Sequence, residues 1–165
     1  MSENIPQEHL WQPGQDIYTE LDTPEDLYTI NPEGQHTRKW WPADTEEGYK
    51  KNLKNKRARR ELERFGWIEN PEIEYSFNSH GFRCDEFDFD CEDNIIFLGC
   101  SYTAGVGLPI ESTYVTAVAN HFNGRVVNLA APGKGIDTMY RYAKHFIPQF
   151  KSKIVIAMES PGPRY

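Results

Sequence analysis

The strongest constraint on this chain is a continuous apolar run, Ile95-Ile-Phe-Leu98, that ends abruptly in Gly99-Cys-Ser-Tyr-Thr-Ala-Gly-Val-Gly107. Four apolar residues without alternation suit a strand covered on both faces, as in a parallel sheet. Two more such runs follow, at residues 126–129 and 154–158. Between the first two, Tyr114, Val115, Val118, Ala119 and Phe122 recur at helical spacing behind Ser112, which reads as an N-cap. Ile136, Met139, Tyr140, Ala143, Phe146 and Ile147 repeat the pattern before Pro148 ends it. The order strand, helix, strand, helix, strand predicts a βαβαβ unit over residues 94–165, with right-handed crossovers and the first run at the centre of the sheet.

In an open α/β sheet, ligands bind beyond the carboxyl ends of the strands. Ser101 stands there among glycines that let a substrate approach the backbone, which makes it a candidate nucleophile. The alternative is an ordinary Gly-rich loop with an incidental serine, since G-x-S alone is a short motif. Phosphate-binding loops are excluded. A Walker A loop ending at Gly133-Lys134 would need Gly at Asn128 and Ser or Thr at Gly135. Gly105-Val-Gly107 continues into Leu108-Pro109-Ile110, so the dinucleotide fingerprint fails too.

Gly99-Cys-Ser-Tyr-Thr-Ala-Gly-Val-Gly107 resembles the first sequence block of the SGNH (GDSL-type) hydrolases, and Val126-Val-Asn-Leu-Ala-Ala-Pro-Gly-Lys-Gly135 resembles the second. More narrowly, Asn78-Ser-His-Gly-Phe-Arg83 and Trp67-Ile-Glu-Asn70 are similar to SGNH-like proteins of marine tailed phages. The resemblance runs from about Trp40 onward. It implies a flavodoxin-like three-layer parallel sheet, here with three of the family's five strands. It also implies a serine ester hydrolase acting on O-acyl or related carbohydrate esters, without cofactor or metal. By position, Ser101 is the nucleophile and Gly133 an oxyanion donor. The family's third donor, an Asn in G-x-N-D, has no counterpart, because the last apolar run leads into Glu159-Ser-Pro-Gly162. Cys100 stands where the family usually carries Asp.

The family's base is a His three residues after an Asp. The residues three before His9, His36, His80, His121 and His145 are Pro6, Glu33, Phe77, Val118 and Tyr142, so no counterpart exists. His80 is the candidate base by proximity of its segment to the central strand, with Asp85 or Glu86 to orient it. Two expectations follow. The chain is the N-terminal part or a truncated form of a hydrolase, lacking its catalytic His. Alternatively, it is a complete, non-catalytic phage-type structural or interaction protein that keeps the fold.

Residues 1–41 are broken by Pro6, Pro13, Pro24 and Pro32 and carry Trp11, Tyr18, Trp40 and Trp41 in no regular period. They read as an extended aromatic arm laid on its own domain or on a partner, with Trp40 and Trp41 buried; a floppy tail is the alternative. Residues 42–93 hold a charged helix over 45–65, started by Asp44 and Glu47 and stopped by Gly66, then a short strand over 72–77 and an acidic connector. The lysines and arginines from Lys50 to Arg64 could touch a polyanion, but interleaved glutamates and acidic flanks favour a solvated face. Asp85, Glu86, Asp88, Asp90, Glu92 and Asp93 match no calcium loop and read as a solvated connector.

At 165 residues, 38% hydrophobic, the chain suits one folded domain. A net charge of -7 speaks against general nucleic-acid affinity and membrane attraction. No apolar run approaches the ~20 residues of a membrane span. Cys84, Cys91 and Cys100 are odd in number without a C-x-x-C pair, so they read as reduced thiols in a cytoplasmic setting, which includes an infected bacterial cell or a virion. Three strands leave an open sheet edge, and the expected partners are an ester substrate and a second copy or another protein covering that edge.

Overall fold

The computed structural model describes residues 35–41, 44–69 and 72–159. Three strands form the expected parallel sheet: β3 (Asn94–Leu98), β4 (Arg125–Asn128) and β5 (Ser152–Ala157), in the order β4-β3-β5. Every residue of β3 is buried, because both faces are covered. The helix α4 (Tyr114–His121) lays Val115 and Ala119 on Ile95 and Phe97. On the opposite face α5 (Ile136–Phe146) lays Met139, Tyr142 and Phe146 on Ile96, Leu98, Val127 and Leu129. Strand alternation sends β3 side chains to both helices in turn. Thr113, one residue after the expected Ser112, caps α4 by accepting from the Thr116 N–H.

The two sheet edges differ. Along β4 runs the acidic connector: the Asn128 N–H donates to Cys84 Sγ at 3.4 Å, and Arg125 reaches the Glu86 carbonyl. Its carboxylates meet cations at the amino-terminal ends of the strands, Asp88 with Arg125, Asp90 with Lys151 and Asp93 with Lys153. Its Phe87 and Phe89 turn inward onto Phe150. On the other side, β5 pairs with β3 alone among the described strands, and Val155 is 43% exposed on the face that carries α5.

The amino-terminal part differs from expectation in two places. Residues 36–39, read as part of the arm, form β1 (His36–Lys39), antiparallel to β2 (Glu74–Phe77). Trp41 then packs on Tyr75 and Phe77, with ring centroids 5.6 and 4.9 Å apart, and is buried, whereas Trp40 is half-buried. The rest of the arm lies outside the described residues. The single helix expected over 45–65 is two: α1 (Glu46–Lys54) and α2 (Lys56–Arg64). Asn55 divides them. Its backbone is extended, and its side chain accepts from the N–H groups of Arg57 and Ala58, so it caps a new helix instead of continuing the old one. Thr45, not Asp44, caps α1. Neither helix buries a residue fully, and Lys50, Arg59 and Arg64 pair with Glu46, Glu63 and Glu61. No helix among the described residues is long and apolar enough to cross a membrane.

The Cys84 contact yields a test. Burial pushes the thiol up to about 12 from its ordinary 9.0. The fold therefore favours the neutral thiol, and this contribution is complete below pH 9.0 and lost as pH rises toward 12. Tyr142 is also raised by burial, so it adds a loss that begins above its ordinary 10.0. Urea midpoints should fall as pH passes 9, and C84A should lack that first part of the decline. An identical alkaline decline in C84A would show that the thiol is not sequestered.

Candidate functional site

The site begins where β3 ends. A Cβ at Gly99 would lie 1.9 Å from Thr103 Oγ1 and 2.6 Å from its Cβ, so only glycine lets the chain fold back so tightly. One helical turn follows, α3 (Ser101–Ala104), with half-buried Ser101 at its first position and buried Cys100 before it. No side chain caps this turn. It closes at Gly105, whose φ of 71° is left-handed and whose added Cβ would meet Thr113 Cγ2 at 2.4 Å.

Asn128 ties this turn to the end of β4. Its Nδ2 donates to the Thr103 carbonyl at 3.0 Å, and its Oδ1 accepts from the Ala130 N–H. The Ala131 N–H donates to the Gly99 carbonyl at 3.0 Å. The loops carrying Ser101 and Gly133 are thus laced together beyond the carboxyl ends of adjacent strands. Gly133 has φ 77° with open space around it, so the turn, not a close neighbour, requires glycine.

Beneath the Ser101 loop lies Arg83, only 3% exposed. Its Nη1 donates to the carbonyls of Ala104 and Gly105, and its Nη2 to those of Leu108 and Glu74. Its guanidinium sits 4.3 Å from the Tyr75 ring centroid. Carbonyl dipoles and an aromatic face replace the water that burial removes. Burial nevertheless pulls the guanidinium below its ordinary value, though arginine stays charged at any physiological pH. Tyr75 extends the support: its hydroxyl donates to Asp44 at 2.7 Å and accepts from the Gly107 N–H at 2.9 Å.

The candidate base is placed elsewhere. His80 stacks on Phe87 at 4.7 Å and meets Phe89 and Phe146 edge-on. Phe87 and Phe89 in turn pack on Phe150, just before β5 begins. His80 therefore stands at the amino-terminal end of the sheet. Five residues of β3 separate that end from Ser101, about 16 Å at strand rise. Glu86, expected to orient the imidazole, accepts from the Ser79 N–H and hydroxyl at 2.7 and 2.6 Å, and these bonds, with the nearby His80, hold its carboxyl below the ordinary value. His121 and His145 occupy the last turns of α4 and α5. A crossover helix runs back against its strands, which puts them at the same far end. Ser101 and Gly133 come together; no described histidine side chain joins them.

A cleft of about 370 Å³ lies on the other side of Arg83, lined by Glu72, Glu74, Asp85 and Glu111. No three His, Cys, Asp or Glu side chains converge to hold a metal among the described residues. Sequence reasoning missed three supports of the site: Arg83, Asn128 and Tyr75. The available signal for Arg83 was an arginine behind Gly81-Phe82 in a stretch that otherwise reads as a turn. Comparison with protein-family models, with curated proteins and with solved structures finds no match to this chain.

Arg83→Lys should lower stability by about 2–3 kcal/mol, since a point ammonium cannot serve four carbonyls set around a planar fork. Gly99→Ala should cost about 3 kcal/mol by overpacking. Both are read from chemical denaturation midpoints. A neutral Arg83→Lys would mean that the clamp is not formed in solution.

Proposed function

We propose that this chain is an SGNH-like serine ester hydrolase in which Ser101 is the nucleophile and the substrates are O-acyl or related esters of carbohydrate. The observation that carries the reading is the place of Ser101: first residue of an uncapped turn, directly past the carboxyl end of the central strand, laced to the loop of Gly133. The strand order β4-β3-β5, with its crossover helices on opposite faces, supports reading the sheet as the start of a flavodoxin-like one, whose ligands bind at this end. In the reaction, Ser101 Oγ attacks the acyl carbonyl while its proton passes to a base. The negative oxygen is held by the N–H groups of Ser101 and Gly133. Collapse of this intermediate breaks the ester C–O bond, and the alcohol leaves with the proton the base had taken. Water, giving a proton to the same base, then cleaves the acyl-serine to release the acid and restore Ser101.

Among the described residues, the step left without a group is proton removal. His80, His121 and His145 stand at the far end of the sheet, and a base has to come within about 3 Å of the hydroxyl. The 165-residue chain should therefore hydrolyse a short p-nitrophenyl ester little faster than buffer, and any slow turnover should persist in Ser101→Ala. Phosphonate labelling of Ser101 should be equally slow in this chain. Supplying a longer chain that carries an Asp-x-x-His should accelerate both, and the acceleration should vanish in Ser101→Ala. A longer, active chain indifferent to Ser101→Ala would sink the assignment.

The outer edge of β5, unpaired among the described strands, favours a second reading, a non-catalytic interaction protein of the phage-structural kind that keeps the fold for assembly. It predicts association through that strand. Sedimentation velocity should show a concentration-dependent oligomer that Val155→Lys disperses. A monomer at all concentrations would count against it.

A further inference from the structure

A recess of about 190 Å³ opens between the start of α1 and the Ser101 loop. Trp40, Tyr49 and Trp67 form its aromatic walls, Asp44, Thr45 and Asn52 bring polar side chains to it, and Gly107 closes the side toward Ser101. None of these residues has a part in the reaction described above. The recess is small beside the several hundred cubic ångströms of an ordinary ligand pocket, so it suits one compact ring.

Several details show that it is a built feature. Trp40 has φ 61°, a left-handed conformation unusual for so bulky a residue, and the turn sets its ring beside Tyr49. The Tyr49 hydroxyl donates to the Trp67 carbonyl at 3.2 Å, which fixes the two aromatic segments to each other. Asp44 is held by the Tyr75 hydroxyl, which also takes the Gly107 N–H. The Val106 N–H next to it donates to the Ser101 carbonyl at 3.1 Å. Hydrogen bonds on two successive amides, Val106 and Gly107, thus tie the recess to the backbone of the Ser101 turn.

The chemistry of the walls selects the occupant. Asp44, with Glu46 and Glu47 close by in the first turn of α1, repels an anion. An organic cation caged by aromatics needs ring faces set around it. Trp40 and Tyr49 instead touch each other, centroids 5.9 Å apart and planes 38° apart, so their faces are partly turned on each other and do not surround a guest. The aromatic surface left open suits a ligand with an apolar face. The Asp44 carboxylate, the Thr45 hydroxyl and the Asn52 amide at its margin suit a ligand whose rim is made of hydroxyl groups, each able to donate and to accept. A neutral sugar ring has both, with C–H bonds on its face and hydroxyls on its edge.

We propose that the recess formed by Trp40, Tyr49 and Trp67 binds one neutral sugar ring. Its meaning for catalysis rests on the ester-hydrolase reading: the ring would belong to the alcohol side of the ester, one loop away from Ser101. Binding itself does not depend on turnover.

The test is an intrinsic tryptophan fluorescence titration of the full chain with methyl glucoside, methyl xyloside and N-acetylglucosamine, with choline chloride and sodium sulfate as cationic and anionic probes. At least one sugar should give a saturable shift in the millimolar range, and neither ion should. Asn52→Ala, at an exposed position, should weaken sugar binding about tenfold without changing the circular dichroism spectrum. Trp40→Ala should abolish it. If Trp40→Ala proves unfolded, the Asn52→Ala titration decides alone. No saturable shift with any of the three sugars would overturn the proposal. So would a choline response equal to that of the best sugar, or sugar binding unchanged in Asn52→Ala. Because the readout is binding, its failure speaks to the recess, whereas failure of Ser101-dependent cleavage in a longer chain speaks to the hydrolase reading.

Discussion

The buried guanidinium of Arg83 is the contact on which the rest of the site depends. One side chain holds Ala104, Gly105, Leu108 and Glu74 by their carbonyls, which joins the Ser101 loop to the β1–β2 pair. A loop rich in glycine is costly to order, and Gly99, Gly105 and Gly107 all stand between β3 and α4. The cost is offset by fixing the loop from below with a rigid, multiply bonded cation, while Asn128 fixes it from the side. A buried charge is stable only when its donors are matched. Here carbonyl dipoles match the two Nη groups and the Tyr75 ring faces the guanidinium, while the buried Nε has no hydrogen-bond partner among the described residues. The cation and the loop conformation therefore require each other through the Nη bonds.

This dependence explains what could and could not be read from the residues alone. The parallel sheet was legible because β3 is apolar without alternation, and because α4 and α5 show the helical period over two turns or more. The lesson of Asn55 is different. A polar residue inside a basic helical stretch gives no periodic signal, yet its side chain satisfies two amides and starts a new helix. β1 was hidden for a related reason. His36-Thr-Arg-Lys39 has no apolar alternation, and only its pairing with β2 makes it a strand.

The placement of Ser101 and Gly133 side by side past adjacent strands was legible through short motifs tied to strand ends, where topology leaves few options. The base was not. His80 looked close to the central strand in sequence, but closeness along the chain does not say which end of a strand a residue reaches. Its segment descends along the β4 edge: Cys84 lies beside Asn128, and Glu86 and Asp88 lie beside Arg125 three residues earlier in β4. The segment therefore runs toward the amino-terminal end, and Phe87 and Phe89 draw His80 into the aromatic layer there.

The same descent accounts for the asymmetry of the sheet. The acidic connector is attracted to β4 by Arg125 and to the start of β5 by Lys151 and Lys153, so its carboxylates gather at the amino-terminal end. At the carboxyl-terminal end the Ser101 turn presents backbone amides, glycines and neutral side chains, while Asp44 and Glu111 stand close enough to Arg83 for its guanidinium to offset their charge. A developing oxyanion is stabilised by amide dipoles and opposed by nearby carboxylates. On the proposed reading, drawing the connector's Asp88, Asp90 and Asp93 to the other end in a chain of net charge -7 removes part of that opposition.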